Sequence, residues 1–277
     1  MTGWLCLLAV AAAALGLVVV YPAWKWRRRN KRRRRLLAAP LPEEYERIIK
    51  KNVPLYNHLP DALRRQLHGL VNVFLADKQF EGCGGLEITD QIRVTIAAQA
   101  CILLLNRKTR YFSRLHTILV YPRTYVARTV SSAGPMTIEG RSVRLGESWR
   151  SGTVVLAWDG VIGGTSNITD ACNVVLHEFA HQLDQEDSAA DGAPILEQRS
   201  RYAAWAAVLS KEYEALRRKK ARHQRSVLSK YGATSPAEFF AVATEAFFEK
   251  PRQMKKRHPE LYDELKEYYK LDPERWL

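Results

Sequence analysis

His177, Glu178 and His181 stand in the pattern His-Glu-x-x-His, inside the stretch Val174–Asp184. No proline or glycine interrupts that stretch. Val174, Val175, Leu176, Phe179, Ala180 and Leu183 surround the polar residues, so the spacing predicts a buried helix. At about 100° per residue, His177 and His181 lie about 40° apart around the axis and one turn apart along it. Both imidazoles therefore reach one ion from the same face. Glu178 lies about 60° from His181 on the other side. Two neutral nitrogen ligands and a carboxylate placed to take a proton from water are what zinc hydrolysis requires. The pattern is short, and two helical histidines also occur as satisfied core residues. In these apolar surroundings, however, two histidines and a glutamate are costly unless something pairs them, and a metal would.

A third ligand must come from elsewhere in the chain. Ser235 followed by Pro236 is a strong helix start, and the helix is predicted to run to Pro251. Glu238 and Glu245 lie seven residues apart on it and share a face, among Phe239, Phe240, Val242, Phe247 and Phe248. Three readings stay open on the residues alone. Glu238 is a metal ligand; or Glu238 completes a capping box with Ser235; or Glu245 is the ligand.

Leu176–Asp184, with Tyr231 and the run Glu238-Phe239-Phe240-Ala241-x3-Glu245-x-Phe247-Phe248, resembles the zinc peptidases typified by Mlc titration factor A. Their catalytic segment is similar to that of the anthrax lethal factor peptidase domain. Lys78–Gly82, Gly85–Asp90, Ile96–Cys101, Val120–Pro122 and Leu145–Trp149 also match, so the resemblance covers roughly residues 40–270. It implies a gluzincin-type centre with one Zn²⁺ per chain. His177, His181 and Glu238 would be the ligands, Glu178 the general base, and Tyr231 the phenol that helps hold the oxyanion. Asp184 and Glu245 are candidates to orient a ligand from behind; Asp184 reads equally well as a surface acid. The chain departs from the family at Gln185–Gly192, which is longer than usual beside the site. The implied function is hydrolysis of a peptide or protein substrate, aminopeptidase-like. The alternative is a regulatory protein that binds and sequesters a transcriptional repressor, with hydrolysis secondary.

The charge distribution sets the rest of the organisation. The chain has 277 residues and a net charge of +14. Nine positive charges and no acid fall in Lys25–Arg35, which leaves +5 for the remainder. The excess is thus a property of one segment, and no nucleic-acid partner is expected. Before it, Gly3–Tyr21 carries no charged side chain, long enough to cross a hydrocarbon core about 30 Å thick. Trp4 at one end and Tyr21, Trp24 and Trp26 at the other have the character of interfacial anchors. The basic run follows the apolar one, which places the amino terminus outside and the bulk of the chain in the cytoplasm. The expected organisation is a transmembrane anchor at 1–24, a basic juxtamembrane linker at 25–41 and a zinc metallopeptidase domain at 42–277. The expected location is the bacterial inner membrane, single-pass. The membrane itself is then a partner, through the helix and the basic run.

The elements that must position the site follow. Helices are predicted from Pro42 to Lys51, through Leu63–Leu75, from Thr89 or Asp90 to Leu105, through Tyr202–Leu216 and near Glu260–Lys270. Strands are predicted at Thr117–Val120, Met136–Val143 and Thr153–Trp158. A loop over Asp159–Thr169 would join the last of these to the histidine helix, and Thr153–Trp158 or a neighbour would be the sheet edge that takes substrate. Cys101 and Cys172 read as buried thiols. The expected class is α+β: a mainly helical zincin-like metallopeptidase domain with a small sheet, preceded by one amino-terminal transmembrane helix.

Overall fold

The computed structural model describes residues 20–108, 110–123, 125–133, 136–144, 146–149, 152–166 and 171–277, with positions 4 and 16. Side chains at 125–149, 165 and 166 are outside this description. The predicted membrane span lies almost wholly outside it too. No helix among the described residues is long and apolar enough to cross a membrane.

The class is α+β, mainly helical around a small sheet. The amino-terminal half contributes α1 (Tyr21–Ala38), α2 (Glu43–Asn52), α3 (Pro54–His58), α4 (Asp61–Asp77), β1 (Gln79–Gly82) and α5 (Asp90–Ile102). Then come β2 (Thr117–Tyr121), the hairpin β3 (Tyr125–Ala133) and β4 (Met136–Arg144), β5 (Gly146–Trp149) and β6 (Thr153–Ala157). The remainder is helical: α6 (Trp158–Ser166), α7 (Val174–Asp184), α8 (Tyr202–Ala221), α9 (Pro236–Glu249), α10 (Pro251–Arg257) and α11 (Pro259–Tyr269).

The sheet has the order β1-β2-β6-β5. β1, β2 and β6 are parallel, with Ile118 opposite Val154, and β5 runs antiparallel to β6. β6 is therefore an interior strand, and it is its neighbour β5 that has a partner on one side only among the described residues. The apolar run Val154–Ala157 fits this placement, because an interior strand is covered on both faces. β1 carried no alternation in the sequence and is largely exposed.

The predicted loop at Asp159–Thr169 is a helix over 158–166 instead. Its glycines disfavour a helix on propensity, and packing overrides this. A Cβ at Gly164 would lie 2.7 Å from the Cys172 carbonyl oxygen, so the bare backbone lets α6 press against the entry to α7. Cys172 is exposed there, contrary to the buried reading, whereas Cys101 is buried in α5. The cap of α5 is as predicted: Thr89 Oγ1 accepts the Ile92 amide at 3.4 Å.

The core lies between α5, the sheet and α7. Phe179 of α7 meets Phe74 of α4 and Phe112, with ring centroids 5.7 and 5.0 Å away. These rings fix the rotation of α7 from the side opposite its histidines.

The basic segment forms α1, which lies along α4. Arg33 grips Asp77 through Nε and Nη2, at 2.8 and 2.7 Å, and both side chains are nearly buried. Asn72 Nδ2 donates to the Leu36 and Ala39 carbonyls. The approach is close enough that a Cβ on Gly69 would stand 2.5 Å from the Leu37 oxygen. Replacing Asp77 by Ala strands the Arg33 guanidinium. It is expected to cost about 1–3 kcal/mol in urea unfolding and to expose 36–42 to limited proteolysis. Unchanged stability and cleavage would show the contact to be incidental.

Candidate metal centre

Asn173 starts the histidine helix. Its Oδ1 accepts the Leu176 amide at 3.0 Å, an N-cap bond, while its Nδ2 donates to Glu249 Oε1 at 3.0 Å. One residue thus caps α7 and ties it to the far end of α9. The next pairing is one turn along. His177 Nδ1 lies 2.7 Å from Glu245 Oε1, and His177 Nε2 lies 2.9 Å from Glu238 Oε2. His181 Nε2 is 3.4 Å from the same Glu238 oxygen. As α7 advances from 173 to 181, its partners retreat from 249 to 238, so the two helices run antiparallel with their polar faces in register.

This geometry shows where each of the carboxylates in the three readings is placed. Ser235 does cap α9, with Oγ accepting the Glu238 amide at 3.2 Å. The Glu238 side chain does not return to complete a capping box; it reaches the two imidazoles. Glu245 takes the other ring nitrogen of His177, behind the centre. An acceptor there holds Nδ1 as the N–H, which leaves Nε2 as the lone-pair nitrogen facing Glu238.

His177, His181 and Glu238 each offer one ligand atom, all within 4.8 Å of one another. Ligands on a tetrahedral ion with bonds of about 2.0–2.1 Å stand roughly 3.3–3.4 Å apart. The His181–Glu238 separation fits that spacing. The shorter His177–Glu238 contact is a hydrogen bond that a metal would replace.

Electrostatics agree with this exchange. Burial opposes charge on His177, but the Glu238 and Glu245 carboxylates outweigh it and hold the imidazole well above its ordinary range. Burial would raise Glu238, yet its bonds to His177 and His181 hold it far below the ordinary carboxylate range. Burial raises Glu245 despite the His177 bond. A proton on His177 and a cation therefore compete for one position.

The other expected site residues are placed as follows. Glu178 is 5% exposed on α7, beside His177. Tyr231 lies on a 3₁₀ turn, Lys230–Ala233, with its ring centroid 5.9 Å from that of His177; it is 55% exposed. Asp184 is fully buried, which overturns the surface-acid reading. Its Oδ2 accepts the Gly192 amide at 3.0 Å, so it fastens the following loop rather than an imidazole. Burial pushes its carboxyl up to about 6 against that bond. Asn173 and Glu249 were not among the expected residues. Their signal was available: Glu238, Glu245 and Glu249 are spaced seven and four, one face of a helix.

Residues 24–270 match the family described as glucose-regulated metallo-peptidase M90. The chain belongs to this family. It is 40% identical over 256 residues to an uncharacterized protein of Synechocystis sp., covering 91% of each chain. It is 30% identical to Mlc titration factor A of Klebsiella pneumoniae, over 80% of this chain and 84% of the relative. With Mlc titration factor A of Yersinia pestis the figures are 27%, 80% and 83%. The likeness to Mlc titration factor A is thus spread along the chain rather than confined to His177–His181.

Membership of a metallopeptidase family implies a metal ion, and the His177–His181–Glu238 set fits one by donor chemistry and spacing. In this M90 chain Glu245 is buried behind His177, against its Nδ1. Glu245→Ala is expected to weaken metal binding on the order of 10- to 100-fold, while Glu245→Gln, which keeps an acceptor oxygen, loses far less. Chelator competition on the purified protein measures both. Parental affinity in both variants would remove Glu245 from the centre.

Proposed function

We propose that this M90 chain hydrolyses peptide bonds, using a zinc ion held by His177, His181 and Glu238. The observation that carries the reading is the convergence of those three ligand atoms beside a buried Glu178 on the same helix. Two imidazoles and one carboxylate match the ligand set of a catalytic zinc with one position left for water or substrate. When bound, the ion polarises the scissile carbonyl and acidifies water.

The chain's own groups supply the rest. Glu178 accepts the proton of the attacking water and delivers it to the leaving amine. Glu245 keeps His177 in one tautomer throughout. Tyr231, exposed and next to the His177 ring, donates a phenol hydrogen bond to the developing oxyanion. β5 lies against α7 and has an unpaired side among the described residues, so an extended substrate adds there as a strand. The family resemblance favours aminopeptidase-like trimming within this scheme.

The test is Glu178→Gln. The variant is expected to keep its metal and its fold. Its peptide hydrolysis should fall by on the order of 10²- to 10⁴-fold, assayed on free and amino-blocked peptides. Hydrolysis at the parental rate would remove Glu178 from the mechanism.

The names of the relatives favour a second reading, in which the chain binds and sequesters a transcriptional repressor. The same variant separates the two, since sequestration survives loss of Glu178. We also propose that Gly3–Tyr21 holds the protein in the bacterial inner membrane with the site in the cytoplasm, on the strength of its uncharged length and the basic run after it. Release from membranes by alkaline carbonate would refute that anchor.

A further inference from the structure

The loop Gln185–Gly192 follows α7 and is fastened at both ends. Near its start, Arg114 Nη1 donates to Ser188 Oγ and to the Gln185 carbonyl. At its end both backbone groups of Gly192 are held. Asp184 Oδ2 accepts its amide at 3.0 Å, and Trp205 Nε1 of α8 donates to its carbonyl at 3.0 Å. Gly192 has φ +78°, a conformation that favours glycine. A Cβ there would lie 2.5 Å from the Pro236 oxygen and 2.9 Å from its carbonyl carbon. Pro236 is the first residue of α9, two before Glu238. The Trp205 ring rests on Phe240, two after Glu238, with centroids 5.9 Å apart. The glycine backbone is thus wedged between the end of the histidine helix and the turn that carries Glu238.

We propose that Gly192, clamped by Asp184 and Trp205, is the spacer that sets the separation between the two histidines of α7 and Glu238 of α9. The proposal rests on the metal reading given above. The need for such a part follows from leverage. Behind the ligands the helices are tied by Asn173–Glu249 and, nearer, by a His177–Glu245 pin seven residues from Glu238, about 10 Å at 1.5 Å per residue. A small rotation about that pin would carry Glu238 off the imidazoles, and a metal site tolerates only about 0.5 Å of drift. Gly192 blocks that rotation at the near end. Asp184, Gly192 and Trp205 are positioning residues; none touches the ligand atoms.

Cobalt(II) is the probe, because the intensity of its visible bands reports coordination geometry without any assay of hydrolysis. The detergent-solubilised full-length chain is titrated alongside Asp184→Ala, Asp184→Asn, Gly192→Ala and Trp205→Phe, and thermal unfolding is recorded for each without metal. Asp184→Ala and Gly192→Ala are expected to bind cobalt at least on the order of 10-fold more weakly and with altered band intensities. Asp184→Asn retains an acceptor for the Gly192 amide and should follow the parent. Trp205→Phe, which removes the N–H but keeps a ring on Phe240, should weaken binding without unfolding the protein. It carries the test if Gly192→Ala fails to fold. Parental affinity and spectrum in the folded variants, whatever their thermal stability, would overturn the spacer. Absence of cobalt binding by the parent chain would instead sink the metal reading, and the spacer with it.

Discussion

The antiparallel contact of α7 with α9 is the constraint on which the rest depends. Each helix is largely apolar and buried, and each brings polar groups into their interface. Buried carboxylates are tolerated only where donors meet them. Here Asn173 meets Glu249, and His177 meets both Glu245 and Glu238. A slip of one turn would leave several of these groups without partners at once. Apolar packing brings the helices together without direction, and the polar bonds choose one register. The same bonds aim both Nε2 atoms at one oxygen of Glu238, so the register that satisfies the buried acids is also the one that forms a site for a cation.

The remaining architecture holds that pair still. Phe179 is keyed into Phe74 and Phe112 on the face of α7 away from the histidines, which prevents α7 from rolling. On the other side of α9, Phe247 stacks on Tyr269 and Phe240 meets Trp205 and Tyr268. The sheet adds a directed edge: β6 is interior, and β5 runs along the flank of α7. The centre is thereby braced from three directions, with the exposed Tyr231 ring beside His177.

The amino-terminal helix shows how a charge run can divide its work. Of the nine basic residues from Lys25 to Arg35, Arg32 and Arg33 turn toward α4 and Asp77, while most of the others face outward. Composition alone does not distinguish the two groups, because all are long, cationic and adjacent. Only the position of Asp77 at the end of α4 does.

Much of the site was legible in the residues. Helical periodicity alone put His177, Glu178 and His181 on one face, and it put Glu238 and Glu245 on another, because local geometry repeats every 3.6 residues whatever surrounds it. The long amphipathic helices were legible for the same reason. The placement of the Glu238 side chain was not, since Ser235-x-x-Glu238 satisfies a cap as well as a ligand pattern; a side chain with two local options goes to what approaches it from elsewhere. The helix at 158–166 was hidden behind its glycines, which allow α6 to press against Cys172. Asp184 read equally as a ligand-orienting or a surface acid, because nothing near it in the chain reveals that Gly192 folds back onto it. What the sequence determined by itself, then, were the faces of helices and the chemistry they carry. Which faces meet, and which acid ends beside which imidazole, was left to the tertiary structure, because contacts some sixty residues apart are set by burial and by the pairing of buried polar groups, not by local spacing.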